Sequence, residues 1–133
     1  MTAPIVYSLC LPFFVLDLWV TAYQWICFPI YGIRRVSRGR YFAHDRHRLP
    51  YLNAIERVNC MFCTYANGVI AYVREVASRT EQFWCPIKHA RPIAGPHHRY
   101  RRFVAYDDGA GYHRDLPLLR KALAPTRARR RRA

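Results

Sequence analysis

Residues 3–33 read APIVYSLCLPFFVLDLWVTAYQWICFPIYGI, and Asp17 is their only charged side chain. A membrane-spanning helix needs about 20 mostly apolar residues, and this run exceeds that length. Arg34, Arg35, Arg38 and Arg40 follow it directly. Basic residues flanking one end of such a segment place that end on the cytoplasmic side. Trp19, Tyr23, Trp25 and Tyr31 lie mainly toward the same end, where amphipathic rings favour the headgroup zone. The start MTAP lacks the positive region of an export signal, and the apolar run is long and aromatic for one. The segment is therefore expected to anchor the chain at the cell membrane, with the C-terminal part cytoplasmic.

Two features complicate a plain span. Pro12 and Pro29 bracket the cleanest stretch, residues 13–28, which makes only about 24 Å of helix. Asp17 at membrane depth costs at least about 2.5 kcal/mol. Cys10, Asp17, Gln24 and Tyr31 recur every seven residues, with Thr21 between, so they form one polar stripe on a helix. Nothing nearby in sequence supplies a partner for the carboxylate. Asp17, Thr21 and Gln24 are accordingly expected to bind a partner helix by interhelical hydrogen bonds. The alternatives are a segment lying flat in the interface and a helix buried in a soluble globule.

The formal charge of +14 is concentrated beyond Ile33, where all 22 Lys and Arg face seven acids. Such a charge calls for an anionic partner. Membrane lipid is the expected one, with Arg34, Arg35, Arg38 and Arg40 at the headgroups. A nucleic-acid partner is disfavoured, because no RNP, helix-turn-helix or zinc-finger spacing occurs.

After the basic loop of residues 34–50, Pro50 marks a helix start. Ile55, Phe62, Val69, Val76 and Phe83 recur every seven residues, and Val58, Tyr65 and Tyr72 follow the same period three positions on. The pattern predicts a long amphipathic helix within residues 51–89, stopped by Pro86. Cys60 and Cys63 lie off the apolar stripe, on a face shared with Glu56 and Asn67. With Cys85 and His89 they make a ligand set whose chemistry suits zinc. On one straight helix, however, Cys60 and Cys85 stand about 37 Å apart. Joining them requires a break at Asn67-Gly68 or an antiparallel homodimer. His44 and His47 offer an alternative completion of a Cys60–Cys63 site.

Residues 90–124 combine a loop rich in Pro, His and Arg with a short C-terminal helix. Phe103, Tyr106 and Tyr112 are its expected anchors, and Asp115 its expected N-cap. Residues 125–133 form an arginine-rich tail expected to be disordered. No P-loop, GxGxxG, GxSxG or HExxH pattern is present. Candidate chemistry rests on scattered groups: Glu75, Glu81, Cys85, Lys88 and His89.

The expected fold is thus mostly α, with an N-terminal membrane helix (residues 1–33), a long central helix, a short C-terminal helix and basic loops. The expected function is that of a small membrane-anchored accessory protein, docking on a membrane complex or an anionic lipid surface. The alternative is a zinc-binding or thiol-redox protein using Cys60, Cys63, Cys85 and His89. An enzyme built on Cys85 ranks third.

Overall fold

The computed structural model describes residues 2–42 and 50–125. His44, His47 and the tail from residue 126 lie outside them. The molecule is mostly helical, with no strand among the described residues beyond one bridge between Ile87 and Val104. The apolar N-terminal run is helical as α1 (Ala3–Ser8) and α2 (Cys10–Tyr31). The interruption at Leu9 precedes Pro12, whose ring clashes with the carbonyl four residues back, that of Ser8. Pro29 is accommodated in the last turn of α2.

The central helix α3 (Ala54–Trp84) is unbroken over 31 residues. It starts three residues later than Tyr51. Asn53 and Glu56 form a reciprocal capping box, the Asn53 side chain accepting from the Glu56 amide and the Glu56 carboxylate from the Asn53 amide. This satisfies two of the orphan amides at a helix start. Pro86 follows its end as expected. Asn67-Gly68 does not break it. A Cβ on Gly68 would lie 2.7 Å from the Tyr41 carbonyl oxygen and 2.7 Å from the Phe42 ring. Gly68 thus lets the connecting chain approach the helix backbone.

Helix α4 (Gly109–Ala122) begins earlier than expected. Its N-cap is Asp108, not Asp115, and the Asp108 carboxylate accepts from the Gly111 amide at 2.9 Å. Asp115 lies inside the helix and pairs with Arg114. Phe103 is buried as an anchor should be, Tyr112 is half-buried, and Tyr106 is exposed.

α2 and α3 run parallel. Tyr7 donates to Asn59, Asp17 meets Tyr65, Thr21 meets Tyr72, Tyr23 meets Thr80, and Tyr31 stacks on Phe83. Parallel neighbours need a long return. Residues 33–42 begin it, running back along both helices: Val36 lies at Gln24, Arg38 at Asp17, and Phe42 beside Tyr65. The core gathers where three elements converge, with Phe28, Ile33, Val36, Tyr72, Val76 and Leu123 buried together. The C-terminal end of α4 is tied in by backbone, the Arg34 amide donating to the Leu123 carbonyl at 2.8 Å.

Candidate functional site

Three groups of polar residues need placing: the stripe on α2, the acidic residues of α3, and the thiols. The stripe is used inside the chain. Arg38 holds Asp17 through both carboxylate oxygens, and the Tyr65 hydroxyl donates to Asp17 at 3.0 Å. Thr21 shares a hydrogen bond with the Tyr72 hydroxyl, and the Gln24 amide donates to that same hydroxyl at 2.6 Å. The Val36 amide donates to the Gln24 side-chain oxygen at 2.9 Å. Asp17, Thr21 and Gln24, expected to bind a partner helix, are each hydrogen-bonded within the chain. Their partners come from two places in the same chain: Tyr65 and Tyr72 on α3, and Val36 and Arg38 on the return segment.

The opposite side of α2 is largely uncovered among the described residues. Taking 100° per residue, the exposed residues cover more than half of the helix circumference. Leu11, Phe14, Leu18, Trp19, Trp25 and Ile26 are all more than half exposed. Residues 3–31 form one helix long and apolar enough to cross a membrane, and only 6% of its most apolar window is buried.

The expected basic cluster divides by role. Arg38 is committed to Asp17, with its guanidinium 4.3 Å from the Phe42 ring centroid. Arg35 lies 4.0 Å over the Trp25 ring. The Arg34 carbonyl accepts from Arg79, while Arg40 is exposed on a short 3-10 turn (Arg38–Arg40).

On α3, Glu75 is the centre of a buried ionic node. Its Oε1 accepts from Arg79 at 2.9 Å and from Arg99 at 2.7 Å. Arg79 and Glu75 are i,i+4 neighbours, and that half of the node is visible in the sequence. Arg99 comes from a 3-10 turn (His98–Arg102), and no sequence spacing announces it. Burial pushes the Glu75 carboxyl up, but the hydrogen bonds and charges of Arg99 and Arg79 outweigh it and hold it below its usual range. The same loop is fastened by His97, whose Nε2 lies 2.8 Å from Glu81, and by Arg74, which donates to the Gly95 carbonyl. Between this loop, Tyr41 and α3 lies a cleft of about 860 Å³.

The thiols do not converge. Cys60 is half-buried and Cys63 exposed on the N-terminal half of α3, while Cys85 caps its C-terminal end. The unbroken helix keeps Cys60 and Cys85 about 37 Å apart, and His89 lies beyond Cys85 against Tyr100. Among the described residues, no three His, Cys, Asp or Glu side chains come together to hold a metal ion. The four-ligand zinc set is therefore not assembled within one chain, because its hairpin requirement fails at Gly68.

No protein-family model, curated protein or solved structure matches this chain.

Proposed function

We propose that the protein is a small membrane-anchored accessory protein that holds an arginine-rich body against an anionic lipid surface. The observation that carries this reading is the division of α2 into two sides. One side is satisfied by the chain's own polar groups, and the other is a continuous apolar surface on which, among the described residues, Arg35 rests over Trp25 and most large side chains stay exposed.

The geometry favours a helix lying in the plane of the interface. Asp17 is the midpoint of the 29-residue helical run, and the Arg38 side chain facing it is 45% exposed. A transverse placement would carry Arg38 and the peptide groups of the return segment into the hydrocarbon, where unsatisfied backbone costs several kcal/mol per group. An in-plane placement buries the apolar back to the depth of the acyl boundary and leaves the return segment in the headgroups. Arg35 and Arg40 then face anionic lipid, each basic residue contributing about 1 kcal/mol. The positive body places the protein on the cytosolic leaflet.

Flotation tests the lipid surface, and protease protection tests the orientation. The protein is expected to float with phosphatidylserine-containing vesicles and to lose most of that binding on Leu18→Lys. Tags at the two termini should be cleaved from the same side of sealed vesicles. Cleavage from opposite sides would make the helix a span. Failure to float with vesicles, coupled with co-purification on a membrane complex, would replace lipid by protein as the surface that covers the apolar back.

A further inference from the structure

The cleft of about 860 Å³ on α3 is unrelated to the lipid-facing side of α2. At 100° per residue, the α3 residues lining it (Asn67, Ile70, Ala71, Arg74 and Glu75) point about 180° from those that contact α2. Its size lies within the range of small-molecule sites, about 300–1,000 Å³. Its rim carries two arginines, Arg74 and Arg101, and two imidazoles, His97 and His98. Among the described residues one acid lines it, Glu75, and that carboxylate is already engaged by two further arginines, Arg79 and Arg99. The formal balance of these five groups (Arg74, Arg79, Arg99, Arg101 and Glu75) is +3, with His97 assigned to Glu81.

The donors at the rim are not exhausted by internal bonds. Arg101 makes no hydrogen bond or ion pair among the described residues. Arg74 gives one nitrogen to the Gly95 carbonyl, leaving most of the five N–H donors of a guanidinium. Tyr41 also lines the cleft, and Ile70 and Ala71 give it apolar lining. Two arginines present planar forks suited to phosphate oxygens.

We propose that this cleft binds a water-soluble organic phosphate, its phosphoryl oxygens held by Arg101 and Arg74 and its carbon skeleton lying on Ile70 and Ala71. The cleft and its charge are independent of the membrane reading. The choice of a soluble phosphate over a lipid headgroup rests on that reading, since an in-plane α2 turns the cleft toward water.

The test is calorimetric titration of the full-length protein in mild detergent with inorganic pyrophosphate. Saturable one-to-one binding is expected. Arg101→Ala, which removes an exposed side chain without a partner among the described residues, should weaken it at least tenfold, and Arg101→Lys should recover part of the loss. A full-length chain with alanine at Arg129, Arg130, Arg131 and Arg132 should bind as tightly as the parent. Binding that survives Arg101→Ala, or that disappears with the tail arginines, overturns the site. A third arm adds vesicles containing phosphatidic acid. Unchanged pyrophosphate affinity is expected, whereas displacement by the vesicles assigns the cleft to a lipid headgroup and overturns the soluble source. Because the detergent titration needs no bilayer, loss of the membrane reading and loss of the site would be told apart.

Discussion

The two halves of α3 carry the same seven-residue apolar pattern and do different things with it. From Ala66 to Gln82 the helix buries nine residues, including Tyr72, Val76 and the Glu75 node. From Ala54 to Tyr65 it buries none, and Ile55, Val58 and Met61 are about half or more exposed. Periodicity decides which face of a helix turns inward. How much of that face is covered depends on what else the chain brings. The return segment, the 98–102 turn and α4 all converge on the C-terminal half. Near the N-terminal end of α3 the contacts come from α1, through Tyr7 to Asn59 and Phe62.

The largest contrast should come from Glu75→Ala. Removing one member of a buried ionic group leaves the others uncompensated, at about 3–5 kcal/mol, here with Arg79 and Arg99 left unpaired. Chemical denaturation should register it as a large fall in the midpoint, and a change under about 1 kcal/mol would place the node outside the cooperative unit. The node also makes a pH prediction. Glu75 titrates below its ordinary value in the folded protein, so the unfolded state binds its proton first as pH falls. Its contribution is complete above the unfolded carboxylate pKa, about 4.3, and is lost as pH drops through the lower folded value. Glu75→Gln should remove that part of the acid sensitivity.

Gly68→Ala comes next. The added Cβ meets the Tyr41 carbonyl, which is backbone and cannot simply rotate away. Overpacking of this kind costs about 1–3 kcal/mol, and thermal melting should show a loss despite the better helix propensity of alanine. A gain would mean that the return segment is not seated there. Asn53→Ala, which removes one side of the capping box, should cost about 1 kcal/mol. It should also raise amide exchange selectively in the first turn of α3. Ile55→Ala, in the sparsely covered half, should stay within about 0.5 kcal/mol in detergent solution. A cost of several kcal/mol there would erase the contrast between the halves.

Much of the helical layout is legible in the residues. The apolar run and the period-seven stripe set two helical rods, and Pro86 ends the second. The pairing of the polar groups is not legible: Tyr65 and Tyr72 stand on the stripe, but Val36, Arg38 and Arg99 lie in segments with no period. Arg38 stands twenty-one positions from Asp17 on a return path whose course depends on α2 and α3 being parallel. An antiparallel hairpin would satisfy the same pattern and leave Asp17 elsewhere. Glu75 and Arg79 can be paired from their spacing, but Arg99 belongs to a loop whose docking is a tertiary event. The start of α4 is disguised by Gly109 and Gly111, poor helix formers. Gly111 is nonetheless suited to the cap, since a Cβ there would meet the Asp108 carboxylate at 2.1 Å. A consequence follows for partner searches: Asp17→Leu would unpair Arg38 and Tyr65, so lost co-purification would report misfolding as readily as a lost partner.

Fluorescence quenching by lipids brominated along their acyl chains reads the position of the apolar back directly. Trp19 is 77% exposed there, and with Trp25→Phe and Trp84→Phe it becomes the sole emitter. The account predicts strong quenching by bromines near the headgroup end of the chains and little by those at the bilayer centre. Emission from Trp19 that is insensitive to brominated lipid at every depth, in protein bound to the vesicles, would contradict it.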